Sequence, residues 1–310
     1  MYHLHAALTD LAVSDPDDAV STLPRLPVLE RLLAGADRAA APLDWRRWAL
    51  SVAGLSVPPG DLPIAHTLAT AAGVALQADA TWFVATPVRL VAGMSRVHFD
   101  GQGPLVLDGA ARAALVERFA RDFADGTLLL VDAGGQLLLR VAAALEVATR
   151  DPATLTGRSL GDGAPRGADA GRLQRLATEL QMWLHAQPVT AVDGRGANGL
   201  WLWGAGRAPL AGAARWPVLA CDDAFLGAAA AGADTVPGRV LESLAVADLV
   251  RAGDTVADAD QRWFEPLAAR LRDGELSGAE LHCAGRVYRL RRGQRWRVWR
   301  RVRPWWESFA

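Results

Sequence analysis

The stretch from residue 179 to residue 206 holds the residues whose types and spacing best suit a ligand site. It reads ELQMWLHAQPVTAVDGRGANGLWLWGAG: an amphipathic helix, a glycine-containing loop, and a short apolar strand that ends in a glycine turn. Glycine has no Cβ, so a ligand can approach the backbone of such a turn closely. An arginine in the loop or after the turn can hold a phosphate. The candidate ligand-binding residues of this stretch are Asn198, Gly204, Gly206, Arg195 and Arg207.

Carboxylates follow two predicted strands and are candidates for ligand or metal binding. Asp222 and Asp223 end the apolar segment WPVLACDD, and open α/β sheets bind ligands at the carboxyl ends of their strands. Asp10 follows the first predicted strand and is a candidate metal ligand. Carboxylates alone suit Mg²⁺ but provide no obvious nucleophile. His3 and His5 share one strand face, either as a metal pair or as ordinary edge-strand side chains.

The C-terminal segment combines arginine with aromatic residues. Nine arginines lie between residues 286 and 303, and the segment ends in RPWWESFA. This composition suits binding to an acidic protein partner or to single-stranded nucleic acid. The alternative is a half-buried hairpin with a solvated arginine face, followed by a tryptophan-rich tail that packs on the core. The candidate surface residues are Arg295, Trp296, Arg297, Arg300, Arg301 and Arg303.

Composition limits the classes of protein to consider. The 310 residues are 51% hydrophobic and 22% charged, with a formal net charge of -1, which argues against disorder and against a globally basic nucleic-acid binder. Cys221 and Cys283 show no CxxC spacing and are expected to be reduced thiols. We expect no secretory signal, no membrane partner and a cytoplasmic location, because neither a leader pattern nor a long apolar run occurs.

The order of predicted elements indicates an α/β protein. A strand over residues 2–8 is followed by helices near residues 28, 45 and 63, and α/β alternation returns after residue 206. Between them, strands and helices follow in the order β-β-α-β-β-α, with Asp108 and Asp169 as helix caps. We predict an α/β core domain formed by residues 1–80 and 197–310, with residues 81–196 inserted as an α+β cap domain.

The central stretch resembles the archaeal-type, cofactor-independent phosphoglycerate mutases. Their motifs there are HPVN, PAN and RGAG, matched by Gln187-Pro188-Val189-Thr190, Ala197-Asn198 and Gly204-Ala205-Gly206. The segments LQMWLHAQPV, WLWGAG and DATWFVATPVRL are similar to the RpfE-type bacterial regulatory proteins. These resemblances imply an alkaline-phosphatase-like core sheet flanked by helices, with an inserted cap. They also imply two divalent metals such as Mn or Zn and a Ser or Thr that carries the phosphoryl group.

The sequence departs from the mutase pattern at the residues that carry the chemistry. Gln187, Thr190 and Asp193 stand where the family has His, Asn and Arg, and His282 is the only histidine after His185. We therefore predict a non-catalytic regulatory or partner-binding protein that needs no cofactor. The alternatives are a metal-dependent phosphomutase or phosphatase acting on a small phosphorylated metabolite, and nucleic-acid binding through the C-terminal segment.

Overall fold

The computed structural model describes residues 2–8, 23–42, 44–56, 59–186, 189–207, 210, 218–220, 223–230, 234–236, 258–297 and 299–309. The chain divides into two compact units. The first unit comprises Met1–Val57 and Ala211–Ala310, and the second unit comprises Pro58–Leu210.

Both units contain helices and strands. The helices are α1 (Pro27–Gly35), α2 (Trp45–Val52), α3 (Ile64–Ala71), α4 (Gly109–Asp122), α5 (Ala170–His185), α6 (Ala224–Ala229), α7 (Glu265–Asp273) and α8 (Trp305–Phe309). The strands are β1 (Tyr2–Ala7), β2 (Asp37–Ala40), β3 (Thr81–Val88), β4 (Leu90–Ala92), β5 (Val97–Phe99), β6 (Leu128–Ala133), β7 (Gln136–Val141), β8 (Val189–Thr190), β9 (Gly196–Ala197), β10 (Gly199–Trp203), β11 (Val218–Ala220), β12 (Asp234–Val236), β13 (Leu276–Cys283) and β14 (Arg286–Leu290).

The first unit contains a mixed sheet in the order β1-β13-β14-β2. β1 runs parallel to β13, and the other two pairings are antiparallel. Apolar side chains alternate along the strands and form one buried face with α1, α7 and α8. The Tyr288 hydroxyl donates to the Ser308 carbonyl, and the indole N–H of Trp305 donates to the Pro24 carbonyl at 2.9 Å. Trp305 and Trp306 are buried, so the end of the tail packs on this core.

The second unit contains an antiparallel sheet in the order β10-β3-β7-β6. The predicted hairpin of β6 and β7 is present, turning through Gly134 and Gly135. α4 begins where predicted, because the Asp108 carboxylate accepts the Ala111 N–H at 2.7 Å. Helices α4 and α5 supply apolar side chains to the core that buries Phe83 and Ala85 of β3. Seven of the eight residues of β3 are buried.

The predicted α/β class is confirmed, and the unit boundaries lie at 57/58 and 210/211. The sequence-based boundaries at 80/81 and 196/197 therefore fall inside the second unit. β10 is hydrogen-bonded to β3, and the Ala65 N–H of α3 donates to the Gly204 carbonyl. The helix predicted over residues 240–250 lies outside the described residues. Within the described residues, no helix has the length and apolar character needed to span a membrane.

Candidate functional site

The glycine turn after β10 is filled by the chain itself. A Cβ on Gly206 would lie 2.0 Å from the Asp61 carbonyl oxygen and 2.5 Å from the Leu62 carbonyl carbon. The Gly206 N–H donates to the Leu62 carbonyl at 3.1 Å. Gly204 has φ +70, and a Cβ there would lie 2.9 Å from Cβ of Ile64. These glycines admit the backbone of the second unit where a ligand was expected.

Asn198 is also engaged within the second unit. Its amide oxygen accepts the Leu90 N–H at 2.7 Å, and its amide nitrogen donates to the Leu90 carbonyl at 2.8 Å. The Asn198 N–H donates to Val88 at 3.1 Å. Asn198 thus fastens the start of β4 beside β10, and a ligand would have to displace both side-chain bonds.

Arg195 is held between two carboxylates. It donates to Asp193 at 2.7 Å and to Asp100 at 3.3 Å, and it also reaches the Gly103 carbonyl at 3.2 Å. The pKa of Arg195 is raised, first by Asp193 and then by Asp100. The Arg195 side chain lowers the pKa of Asp193, while the Gln102 N–H and then Arg195 lower that of Asp100. The guanidinium charge is therefore balanced inside the unit, and a phosphate would compete with both carboxylates.

Arg207 and Asp223 also have intramolecular partners, and they lie in different units. Arg207 Nη2 donates to the Ala80 carbonyl at 2.5 Å in the second unit. In the first unit, the Asp223 carboxylate caps α6 by accepting the Leu226 N–H at 2.9 Å and forms an ion pair with Arg46 at 2.8 Å. The predicted metal candidate Asp10 and the predicted ligand candidate Asp222 lie outside the described residues.

The histidines of the first unit lie together on one face of its sheet. The rings of His3 and His5 are 4.6 Å apart, and His5 Nδ1 lies 3.3 Å from a Glu280 oxygen without hydrogen-bond geometry. The buried His282 stacks on Trp48 with ring centroids 5.0 Å apart. Burial lowers the pKa of His5 and of His282. Across the described ranges, no three His, Cys, Asp or Glu side chains are arranged to hold a metal ion, so a two-metal centre does not fit this part of the chain.

Of the two cysteines, Cys283 is the one that the structure describes. Cys283 is buried, and burial raises the pKa of its thiol well above its ordinary value. Cys221 lies outside the described residues.

The C-terminal arginines divide into two groups. Arg297 donates to Asp37 at 2.5 Å and to the Gly35 carbonyl at 3.1 Å, and Arg300 donates to the Ala36 carbonyl at 2.7 Å. Both arginines therefore satisfy carbonyls at the C-terminal end of α1. The predicted role of these two arginines in a binding surface stays a prediction, and both have intramolecular partners.

Residues 299–303 are all exposed, and we call four of them the tryptophan surface: Trp299, Arg301, Val302 and Arg303. The side chain of Trp299 is 75% exposed and that of Val302 is 46% exposed. Arg301 and Arg303 are exposed and form no ion pair with any described residue. The side chains of Arg295 and Trp296 lie outside the described set, although their backbone forms a short 3₁₀ turn over Arg292–Trp296. The part of the predicted surface that Arg295 and Trp296 would form stays a prediction.

The second unit also holds a groove of about 830 Å³ beside β10. Helix α5 forms one wall, with Leu173, Ala177 and Gln181 at successive intervals of four residues. The segment 159–165 forms the opposite wall, where Gly163, which has no side chain, packs against the Trp201 indole. The lining is mainly apolar with a few hydroxyl and amide groups, which is typical of ligand sites in proteins.

The sequence analysis predicted a ligand site at the turn after β10 and did not predict the groove along β10. A local signal was present, because α5 carries small and polar residues at Gln174, Ala177 and Thr178 between its core leucines. That signal alone does not reveal a groove, since an exposed helix face has the same composition. The sheet order, which leaves β10 at an edge, is what opens the space.

No protein-family model and no curated protein matches this sequence. Among solved structures, the chain is similar to a cofactor-independent phosphoglycerate mutase from Thermoplasma acidophilum DSM 1728, at 14% identity and a TM-score of 0.36, over 94% of this chain and 89% of that one. It is also similar to the PH0037 protein from Pyrococcus horikoshii, at 13% identity and a TM-score of 0.41, over 93% and 86% of the two chains. The first of these belongs to the class that the sequence motifs resemble. The resemblance to RpfE-type proteins stays a prediction.

Proposed function

We propose that this protein is a non-catalytic binding protein that recognises an acidic protein partner through the tryptophan surface. One observation carries the proposal: Trp299, a large aromatic residue, is 75% exposed beside two arginines that have no partner among the described residues. Tryptophan and arginine are the residues most enriched among those that dominate binding energy at protein interfaces. Exposed Val302 adds apolar area, so the surface combines an aromatic anchor with cations at its rim.

An acidic protein fits this surface better than nucleic acid does. Nucleic-acid affinity rests on many phosphate contacts along an extended basic surface. Among the described side chains, Arg297 and Arg300 bond to carbonyls at the end of α1, and Arg301 and Arg303 are the cations without a partner next to Trp299. Within the described side chains, one exposed aromatic ring with two charges suits a compact acidic and apolar patch on a protein.

The alternative of a metal-dependent phosphomutase or phosphatase gains no support from the described residues. Its proposed phosphate ligands, Arg195 and Arg207, are bonded to the chain itself, and Asp223 caps a helix. No metal-binding group of three side chains occurs in the described ranges. Two of its candidates, Asp10 and Asp222, lie outside those ranges.

The proposal can be tested by site-specific photo-crosslinking. The photoreactive residue p-benzoylphenylalanine is placed at Val302, and at the similarly exposed Val192 of the second unit as a matched control. We expect a protein adduct from position 302 that is absent from position 192. The adducted protein is then purified, and its affinity is measured for the unmodified chain and for Trp299→Ala.

Loss of an interface anchor should weaken binding by roughly 30-fold or more, which corresponds to about 2 kcal/mol. Arg301→Ala with Arg303→Ala should slow association, while Arg31→Ala with Arg175→Ala, two exposed arginines elsewhere, should leave it unchanged. Equal affinity of the Trp299→Ala chain would refute the proposal. An adduct with nucleic acid whose affinity falls steeply with salt would support the nucleic-acid alternative in its place.

A further inference from the structure

The direction of the backbone groups in β10 follows from its partner strand. In β3, the Val88 carbonyl accepts the Asn198 N–H, and just before β3 the Ala80 carbonyl accepts from the Arg207 side chain. The N–H and carbonyl groups of even-numbered residues of β3 therefore point toward β10. The Pro87 carbonyl accepts the Leu105 N–H on the opposite side. Bonding alternates along an antiparallel pair. The residues of β10 that bond to β3 are therefore those opposite Val88, Thr86 and Val84, namely Gly199, Trp201 and Trp203.

The backbone groups of Leu200 and Leu202 consequently point away from β3. Leu200 lies opposite Pro87, which has no N–H to donate. Outside the sheet pairing with β3, the described residues provide no partner for the N–H or carbonyl of Leu200 or Leu202. Gly204, the next outward residue, differs: its N–H donates to Thr149 Oγ1 at 3.2 Å and its carbonyl accepts the Ala65 N–H at 3.0 Å. The chain thus bonds one end of this edge and leaves the backbone groups of Leu200 and Leu202, which are themselves buried residues, without a hydrogen-bond partner among the described residues.

The open edge lies along the groove of the second unit. Gly199 to Leu202 line the groove, together with α5 on one face of β10 and residues 159–165 on the other. Leu200 and Leu202 pack in the core that contains Leu173 and Leu180, whereas Trp201 packs with Phe99 and Leu155 on the opposite face. A molecule in the groove therefore meets outward N–H and carbonyl groups at its floor and apolar side chains at both walls.

The charge of Arg96 at one end of the groove determines the expected direction of a bound strand. Leu90 lies 3.6 Å from a Cβ built on Gly199, so the hairpin of β4 and β5 rises from that end of β10. The tip of this hairpin carries Arg96, which lines the groove, is exposed and forms no ion pair with a described residue. A strand that pairs antiparallel to β10 brings its C-terminal end to Gly199. Its carboxylate, or an acidic side chain there, then lies near Arg96.

We propose that the groove beside β10 binds an extended peptide segment of a partner protein, which adds to the sheet as an antiparallel strand next to Leu200 and Leu202. Exposed sheet edges bind peptides in this way, with backbone bonds providing affinity and side-chain pockets providing selectivity. The five residues of β10 span roughly 16 Å, enough for a segment of about four to six residues. Two alternate peptide side chains lie toward Ala177 of α5, those between them lie toward Trp201, and an acidic C-terminal end lies toward Arg96.

Hydrogen exchange tests the premise in the free protein. The amide protons of Trp201 and Trp203 are bonded to β3 and should exchange slowly. Those of Leu200 and Leu202 should exchange at least tenfold faster, because the groove gives them no acceptor. Equal protection of all four amides in the free chain would overturn the assignment of an open edge.

A displayed library of random heptapeptides with free C-termini tests binding itself. Selection on the full chain should enrich peptides with an acidic end, and a bound peptide should slow the exchange of the Leu200 and Leu202 amides. Ala177→Trp, which fills the groove from a half-buried helix position, should reduce affinity at least tenfold, and Arg96→Glu should reduce it for acidic-ended peptides. Unchanged affinity in Ala177→Trp, or no enrichment, would refute the proposal.

Methylation of single peptide nitrogens gives a test that needs no protein variant. Methylation of the two residues opposite Leu200 and Leu202 should reduce affinity more than tenfold, whereas methylation of the residue between them should have little effect. An equal effect at all three positions would exclude strand addition. Trp299→Ala should leave peptide affinity unchanged, because the tryptophan surface belongs to the other unit, so this proposal and the proposed function fail independently.

Discussion

Replacement of Gly206 by alanine tests whether the glycine turn after β10 serves folding. The added Cβ would lie 2.0 Å from the Asp61 carbonyl oxygen and 2.5 Å from the Leu62 carbonyl carbon, both of which belong to backbone. Backbone cannot rotate aside as a flexible side chain can, so the two segments must separate. Overpacking costs roughly 1–3 kcal/mol, and loss of the Gly206 N–H bond to Leu62 adds about 1 kcal/mol. We expect the free energy of unfolding to fall by about 2–4 kcal/mol.

The assay is denaturant unfolding followed by circular dichroism, with calorimetry as a second measurement. In a body the size of the second unit, 1 kcal/mol shifts the midpoint temperature by about 2–4 °C, so a decrease of roughly 5–15 °C is expected. Gly171→Ala is the matched control, because its Cβ meets nothing within 4 Å and it lies in α5, where alanine stabilises a helix by roughly 0.5–1 kcal/mol over glycine. If Gly206→Ala changed stability by less than about 0.5 kcal/mol, the close backbone packing would be disproved.

Three further predictions concern single side chains. Arg297→Ala should lower the free energy of unfolding by about 1 kcal/mol, the value of one hydrogen bond to the Gly35 carbonyl, while Arg301→Ala should leave it unchanged in the same titration. The pKa of Asp100 is lowered in the folded state, so its contribution is present above about pH 3.9 and lost as pH falls through the lowered value; Asp100→Asn should flatten this acid limb of stability against pH. Burial lowers the pKa of His282, so as pH falls the unfolded chain takes up a proton before the folded chain does. The free energy of unfolding should therefore decrease from about pH 6.5 down to the lowered pKa. A His282→Gln chain measured from pH 5 to 8 should show a smaller decrease.

Local patterns predicted much of the second unit because the interactions that fix them are local. The Asp108 cap, the four-residue spacing of Leu115 and Phe119, and the hairpin of β6 and β7 each depend on neighbours within a few residues. The tail was also predictable as one of two alternatives, since tryptophan at such density requires burial somewhere. Trp305 and Trp306 are indeed buried.

The site residues were harder to interpret because their partners are remote in sequence. Gly206 accommodates the backbone at Asp61, and Arg195 is balanced by Asp100, so neither role is visible from adjacent residues. The ion pair of Arg195 with Asp193, two residues away, was the part that a sequence could show. The groove beside β10 was invisible for a related reason: whether a strand lies at an edge depends on the sheet order, which no single segment encodes.

The pairing of β1 with β13 has a consequence for synthesis on the ribosome. The second unit is one continuous stretch, Pro58–Leu210, so all its strands have emerged before β13 is translated. The first unit, in contrast, joins Tyr2–Ala7 to Leu276–Cys283. Chains grow from the N-terminus at about 5–20 residues per second, so β1 waits on the order of ten seconds or more for its partner. During that interval β1 and β2 lack their partners β13 and β14, so we expect this part of the nascent chain to need protection by a chaperone.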